Sequence, residues 1–230
     1  MLKARDIVKN YKYFNVVDHL SFNIEKGHIY GLAGVEGAGK TTVMKIVAGV
    51  LMPDSGSIEL NGISMLKDPQ GVKSKIGYMP ESFGLYEELS VDEYMDFYSG
   101  IYGIPKSERL SIISKLLELV DLSHKREAYV GTLSRSMKKW LCLARSLIHN
   151  PELLILDNPA SGLEPDEWNE LKEILKTLRD MGKTILVSSR NLSKLARLCT
   201  CIGIIEYGKI VISGPFDEIS NNLNINLFGS

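Results

Sequence analysis

A glycine-rich loop at residues 34–42, GVEGAGKTT, is the feature that most restricts how this chain can fold. It fits the pattern G-x-x-x-x-G-K-[ST], between a strand predicted at residues 28–33 and a helix predicted at residues 41–50. Glycines let successive backbone N–H groups point inward, and the N-terminus of the helix adds partial positive charge. A simple glycine turn before a helix is the alternative, but the strand–loop–helix context favours a nucleotide phosphate site.

Side chains in and beyond this loop suggest how phosphate and metal are held. Lys40 can reach the β- and γ-phosphates, and Thr41 can ligate Mg²⁺. Much later, the apolar strand predicted at residues 153–156 ends in Asp157, which can hold Mg²⁺ through water. Asp157 alone could equally be a turn or capping residue, but its pairing with Lys40 favours the metal role. The nucleotide-binding positions predicted in the loop are Gly34, Glu36, Gly37, Ala38, Gly39, Lys40, Thr41 and Thr42.

The order of strands and helices predicts the fold class. Short strands and turns are predicted in the first part of the chain, with strands at residues 21–24, 57–60 and 76–79. From residue 151 strands alternate with helices, which predicts an α/β fold with a parallel sheet covered on both faces. Residues 84–150 are predicted to be helical, with a capping box formed by Ser90 and Glu93. The chain is therefore expected to be a single domain (1–230), with a core lobe (1–83 and 151–219), a helical lobe (84–150) and a polar tail (220–230).

Composition argues against several other classes of protein. Lys plus Arg is 27 and Asp plus Glu is 28, a net charge of −1, whereas proteins that bind nucleic acid through bulk charge are strongly basic. No apolar run approaches the ~20 residues that span a bilayer, and no secretory signal is visible at the N-terminus. The three cysteines, Cys142, Cys199 and Cys201, are too few and too scattered for a disulfide framework or a metal–thiolate site, which suggests a reducing compartment.

Charge is unevenly distributed across the predicted helical lobe. Residues 81–96 contain six acidic residues and no Lys or Arg, whereas residues 105–150 contain nine basic and four acidic residues. The simpler interpretation is that these are solvated helix faces. The alternative is a docking surface for a partner.

Further motifs, in order along the chain, resemble the ATP-binding subunit of ABC transporters over about residues 2–219. Besides the glycine loop, the matching segments are Tyr11 for the aromatic that stacks on adenine, residues 76–81 (IGYMPE) for the Q-loop, residues 133–139 (LSRSMKK) for the signature loop, residues 157–165 (DNPASGLEP) for Walker B and the D-loop, and residues 188–190 (SSR) for the switch-histidine position. The Pro-Glu and Met-Lys-Lys variants look most like subunits of multidrug, antibiotic or lantibiotic exporters.

This resemblance implies a P-loop NTPase core, with a small antiparallel β subdomain and an inserted α-helical lobe. It implies ATP and Mg²⁺ as cofactors, with Thr41, Glu81 and Asp157 at the metal. It implies a head-to-tail dimer with an identical or different ATP-binding chain, in which Ser134 and Ser136 reach the nucleotide of the other chain. It also implies integral membrane permease subunits as partners and a cytoplasmic location on the inner face of the cell membrane.

Four departures from the family pattern affect catalysis. Asn158 replaces the Glu that polarises the attacking water, and an amide accepts no proton at neutral pH, so the loss of a general base should cost about 10²–10⁴-fold. Arg190 replaces the switch His, and it is larger and always charged. Ser136 replaces a Gly where the backbone approaches phosphate, while Glu81 for Gln and Glu164 for Asp are milder changes. We therefore expect the catalytic positions Asn158, Arg190 and Glu81 to support MgATP binding with slow hydrolysis.

Two interpretations of function remain open at this point. One is the energy-coupling ATPase subunit of a membrane exporter, and the other is a catalytically weak regulatory module that dimerises on ATP. A soluble ABC protein acting on ribosomes or DNA is disfavoured, because such proteins usually have two such units or a long coiled-coil insert. A P-loop kinase is disfavoured because it would have no use for a signature loop and D-loop.

Overall fold

The computed structural model describes residues 1–12, 14–82 and 84–222. The strands are β1 (Leu2–Tyr11), β2 (Phe14–Ile24), β3 (Ile29–Ala33), β4 (Ser55–Leu60), β5 (Ile63–Ser64), β6 (Ile76–Met79), β7 (Leu153–Leu156), β8 (Thr184–Ser189), β9 (Cys201–Glu206) and β10 (Lys209–Pro215). The helices are α1 (Lys40–Val47), α2 (Pro69–Lys73), α3 (Val91–Ile101), α4 (Lys106–Leu119), α5 (Arg135–Leu147), α6 (Pro165–Asp180), α7 (Leu192–Ala196) and α8 (Phe216–Asn222).

The central sheet of the described chain has the strand order β10-β9-β3-β8-β7-β6. All neighbouring strands in it are parallel except β10, which pairs antiparallel with β9. Every residue of β3, β7 and β8 is buried, as expected for parallel strands that are covered on both faces. The α/β fold class is confirmed. Because the strands are parallel, the segments that follow β3, β6, β7 and β8 meet at one edge of the sheet.

A second, antiparallel sheet with the order β2-β1-β4-β5 lies in the N-terminal part of the chain. The sequence predicts short strands at residues 21–24 and 57–60 here. The second matches β4, whereas the first is only the end of β2, which forms a long hairpin with β1. The pairing shifts register between Ala4 and Ile7, and Asp6 has a φ of 52°. Such bulges interrupt the alternation of apolar and polar residues, which explains why the pattern does not reveal β1.

Residues 84–150 contain α3, α4, α5 and two short 3₁₀ turns. Their apolar side chains, including the fully buried Tyr94 and Leu117, belong to one cluster with residues of β7, α6 and β8. The helical segment thus packs on one face of the central sheet, while a second cluster joins the β1–β2 hairpin and α1 to the other face. Residues 220–222 of the predicted tail form the end of α8, and residues 223–230 lie outside the described residues.

The uneven charge of this region is partly neutralised within the chain. Three ion pairs join the acidic stretch to the basic one: Arg109 with Asp96 at 3.2 Å, Arg126 with Asp92 at 2.9 Å, and Lys138 with Glu87 at 2.7 Å. Half of the six acidic residues therefore have an ion-pair partner within the chain and need no partner protein. This favours the simpler interpretation of the charge pattern and reduces the support that it lent to a docking surface.

The predicted capping box at the start of α3 is confirmed. Ser90 Oγ accepts a hydrogen bond from the Glu93 N–H at 3.2 Å, and Glu93 Oε2 accepts one from the Ser90 N–H at 2.8 Å. The Ser90 contacts lower the pKa of Glu93. Both contacts satisfy N–H groups that a helix start otherwise leaves without partners.

Replacing Ser90 by alanine is expected to lower the free energy of unfolding by about 1 kcal/mol, since one side of the capping box is lost. Urea denaturation followed by circular dichroism measures this change. Ser111→Ala, an exposed position inside α4, is the matched control, and it should leave stability unchanged or slightly raised. Equal stabilities of the two variants would contradict the capping role.

Candidate nucleotide site

A cavity of about 220 Å³ lies where the segments after β3, β6, β7 and β8 meet. Ten of the fifteen predicted site residues line it, together with Val16: Glu36, Gly37, Gly39, Lys40, Thr41, Thr42, Glu81, Asp157, Asn158 and Arg190. The predicted residues that do not line it are Tyr11, Gly34, Ala38, Ser134 and Ser136. The structure therefore brings together predicted site residues that are up to 154 positions apart in the chain, as Glu36 and Arg190 are.

The backbone of the glycine loop leaves no room for side chains at two positions. Gly39 has a φ of 103°, and a Cβ there would lie 2.5 Å from the Val16 carbonyl oxygen. A Cβ at Gly34 would lie 2.5 Å from the Ile205 carbonyl oxygen. Both glycines are therefore required for the path of the loop. Ala38 is buried at 3% exposure and supports the loop from inside.

Lys40 points back across the loop. Its Nζ donates hydrogen bonds of 2.7 Å to the carbonyl oxygens of Gly34 and Val35. Burial, followed by repulsion from Arg190, lowers the pKa of Lys40. This ammonium lies inside the loop and can exchange carbonyl oxygens for phosphate oxygens, which are stronger acceptors because they are charged.

The end of β7 places a carboxylate and an amide side by side. Ser188 Oγ, on the neighbouring β8, donates to Asp157 Oδ1 at 2.7 Å and accepts from the Asn158 N–H at 2.8 Å. Asn158 has a φ of 48°, a conformation that Asn tolerates better than most residues. Burial raises the pKa of Asp157, while the nearby hydroxyls of Ser188 and Thr41 oppose the shift.

The side chain of Asp157 fits the predicted metal role. The residue is 1% exposed, and its Oδ2 is buried without a hydrogen-bond partner among the described residues. Such an orphaned carboxylate oxygen suits Mg²⁺, or a water bound to it, and Thr41 lines the same cavity. When bound between phosphates, Mg²⁺ would neutralise charge that develops on their oxygens.

Three residues that line the cavity depart from the family pattern, and Glu81 contacts the other two, Asn158 and Arg190. Its Oε1 accepts a hydrogen bond from Asn158 Nδ2 at 2.6 Å and a longer one from Arg190 at 3.3 Å. The Arg190 guanidinium also donates to Glu36 Oε2 at 2.9 Å, which links the segment after β8 to the glycine loop. The replaced residues thus contact one another across the cavity.

The signature-loop residues lie at the start of α5, away from this cavity. Ser134 Oγ lies 3.0 Å from Ser136 Oγ and accepts a hydrogen bond from the Met137 N–H at 3.1 Å. Farther along the helix, the buried Lys139 Nζ donates to the Pro159 carbonyl oxygen at 2.9 Å and to that of Ser161. Burial lowers the pKa of Lys139 to about 8. This amine ties the signature helix to the segment that follows Asn158.

Tyr11 lies at the end of β1, opposite Phe14 in the hairpin, and is 47% exposed. Its ring is accessible but does not line the cavity, so its contact with adenine stays a prediction. Sequence reasoning missed Val16 and Ser188 as site residues. A hydroxyl at the end of the buried strand β8 was the available signal for Ser188, whereas the sequence contains no such signal for Val16.

Comparison with known proteins agrees with this geometry. Residues 17–161 match the family described as "ABC transporter". A bacitracin transport ATP-binding protein of Bacillus licheniformis is 38% identical over 220 residues, which cover 95% of this chain and 71% of that protein. The chain belongs to the ABC transporter family. It is an ATP-binding subunit, because it has the motifs of such subunits and the relatives that it matches are named as ATP-binding proteins.

Other ABC proteins extend the comparison. A linearmycin resistance ATP-binding protein of Bacillus subtilis (strain 168) is 33% identical over 223 residues, covering 97% of this chain and 72% of that one. The structure of an ATP-binding subunit of an ABC transporter superposes with a TM-score of 0.88 at 28% identity, covering 100% of this chain and 95% of that one. A dimeric ATP-binding cassette with ADP and phosphate shares the fold, with a TM-score of 0.85 at 20% identity, covering 94% and 99%. Among the described residues, no helix of this ABC protein has the length and apolar character needed to cross a membrane.

Proposed function

We propose that this chain binds MgATP in the cavity, dimerises head-to-tail on it and drives or gates export by partner membrane subunits, with slow hydrolysis. The convergence of Lys40, Thr41 and Asp157 on one cavity carries the proposal, because it supplies a phosphate contact and two candidate metal ligands. Asn158 in that cavity supports slow turnover, because an amide cannot act as a base. We place the chain on the cytoplasmic face of the membrane, beside those subunits.

The head-to-tail arrangement is supported by the position of the signature loop. Ser134 and Ser136 lie outside the cavity of their own chain, at an accessible helix start. A second chain is therefore needed for them to contact nucleotide. The relative captured with ADP and phosphate is itself described as dimeric. In a homodimer, both composite sites would carry every departure from the family pattern.

A groove of about 540 Å³ is our proposed position for a membrane subunit. It lies between the end of α1, β6, α3 and α5, and its lining includes Val50, Tyr78, Tyr98, Tyr102 and Arg145. Val50 is 62% and Tyr102 43% exposed, and the Tyr78 hydroxyl is buried without a hydrogen-bond partner in the described chain. Exposed apolar and aromatic side chains beside an unsatisfied hydroxyl favour a protein partner. The relatives named for bacitracin transport and linearmycin resistance support an exporter of the antibiotic type.

The purified chain is expected to shift from monomer to dimer on gel filtration with MgATP. Phosphate release should be about 10²–10⁴-fold slower than in a cassette with an intact base. Lys40→Ala is the matched control and should stay monomeric. A wild-type chain that neither binds MgATP nor dimerises would contradict the proposed function, and rapid turnover would contradict its slow-hydrolysis part.

The alternative regulatory module is favoured by one observation. Asn158 uses its amide to hold Glu81, so position 158 serves a structural contact instead of proton transfer. An ATP-stabilised dimer with no turnover, either alone or with a membrane partner, would select this alternative over the exporter subunit.

A further inference from the structure

We propose that Glu81 accepts the proton from the attacking water in place of the missing carboxylate at position 158. The proton acceptor would then lie in the segment after β6 instead of the segment after β7. This inference rests on the proposed function, because it concerns the same cavity and the same reaction. It assigns the residual hydrolysis to one named side chain.

The contact between Asn158 and Glu81 carries the inference. Asn158 Nδ2 lies 2.6 Å from Glu81 Oε1, so the Glu81 carboxylate is one hydrogen bond away from the side chain at position 158. Relative to the family pattern, the amide and the carboxylate have exchanged positions: 158 has lost the acid and 81 has gained one. The cavity therefore keeps a carboxylate and an amide in contact, with their places reversed.

The remaining contacts of Glu81 leave one oxygen available. Arg190 donates to the same Oε1 at 3.3 Å, so two donors orient this oxygen. The second oxygen, Oε2, makes no hydrogen bond to the described residues, and the side chain is 32% exposed. Asn158 and Arg190 are thus positioning residues, and Oε2 is free to accept a hydrogen bond from water.

The other carboxylates that line the cavity are less suited to this role. Within the described part of the chain they are Glu36 and Asp157. The Glu36 carboxylate is 78% exposed and paired with Arg190 at 2.9 Å. Asp157 is buried, bonded to Ser188, and placed to hold the metal. Glu81, which the resemblance also implies at the metal, is therefore the cavity carboxylate with an oxygen open to water.

The proposed step is balanced by ATP and one water molecule. The water oxygen forms a bond to the γ-phosphorus while its proton passes to Glu81 Oε2. The bond between the γ-phosphorus and the bridging oxygen breaks, and its electron pair stays on ADP. Inorganic phosphate leaves, and Glu81 then loses the proton to phosphate or solvent.

Glu81→Gln tests the role without a change of shape. Single-turnover phosphate release should fall about a hundredfold. The MgATP dissociation constant should stay within about threefold, and the MgATP-bound dimer should persist longer on gel filtration. Glu88→Gln, which removes an exposed carboxylate from the same segment outside the cavity, is the control and should match the wild type.

The double variant Glu81→Gln, Asn158→Glu moves the carboxylate back to position 158. It should recover turnover to at least the wild-type rate, which a merely structural role of Glu81 would not predict. The proposal is overturned if Glu81→Gln turns over as fast as the wild type, including the case in which neither turns over. It is also overturned if MgATP affinity falls in parallel with turnover while Mg²⁺-free ATP affinity does not, since Glu81 would then act only through the metal. In each case the wild-type dimer with MgATP still forms, which separates this failure from failure of the proposed function.

Discussion

Replacing Lys40 by alanine is expected to weaken MgATP binding about a hundredfold. Charge-assisted hydrogen bonds contribute about 1.5–3 kcal/mol each, and the loss of two at the lower value corresponds to about 3 kcal/mol. Lys40 is suited to this role because its ammonium already lies inside the loop, bonded to Gly34 and Val35. Titration with a fluorescent ATP analogue in the presence of Mg²⁺ measures the change.

Lys45→Ala provides the matched control for this experiment. Lys45 lies on the same helix, five residues farther along, and is exposed outside the cavity. Its removal changes net charge by the same amount without touching the phosphate site. If the two variants bind MgATP equally well, Lys40 does not contact the phosphates and the site assignment is wrong.

Asp157→Asn is expected to stabilise the nucleotide-free chain while abolishing the contribution of Mg²⁺ to ATP binding. The carboxylate is buried and its Oδ2 has no hydrogen-bond partner among the described residues, an arrangement that costs about 1–3 kcal/mol or more for a charged group. Removing the charge should raise the free energy of unfolding by about that amount. Thermal unfolding without nucleotide, and ATP titration with and without Mg²⁺, measure the two effects.

The stability gain should depend on pH in a defined direction. Burial raises the pKa of Asp157 in the folded state above its value of about 3.9 in the unfolded chain. The cost of the ionised form is therefore fully present above the folded pKa, declines as pH falls through it, and vanishes below the unfolded value. The advantage of Asp157→Asn over the wild type should shrink accordingly as pH is lowered.

Asp180→Asn, at the exposed end of α6, is the control for both effects. It should change stability by less than about 0.5 kcal/mol and leave Mg²⁺ dependence intact. A destabilised Asp157→Asn variant would show that the carboxylate is compensated by its surroundings. Unchanged Mg²⁺ dependence would remove Asp157 from the metal site.

Local sequence patterns predicted the buried parts of the fold well. The strands predicted at residues 76–79 and 153–156 match β6 and β7, because short apolar runs bounded by turn residues leave few alternatives. The capping box of α3 was equally clear, since its contacts span only three residues. By contrast, β1 was not predicted, because its bulges are fixed by pairing with β2 and β4.

The charge pattern was interpreted without knowledge of the ion pairs that form when the chain folds. The acidic stretch at residues 81–96 suggested a surface for a basic partner. Folding brings Arg109, Arg126 and Lys138 against it instead, from 13 to 51 residues away. These ion pairs within the chain depend on how α3, α4 and α5 pack. The composition of the acidic stretch holds no information on that packing.

The sequence by itself determined the phosphate loop, the strand that ends in Asp157 and the order of motifs that marks an ABC protein, because each is a contiguous pattern with its own backbone or burial requirement. Only the tertiary structure decided that Glu81, Asn158 and Arg190 form one connected group. They follow β6, β7 and β8, which lie side by side in the sheet although Glu81 and Arg190 are 109 residues apart. Parallel strands bring their carboxyl ends to a common edge, so side chains that are remote in the chain become neighbours there.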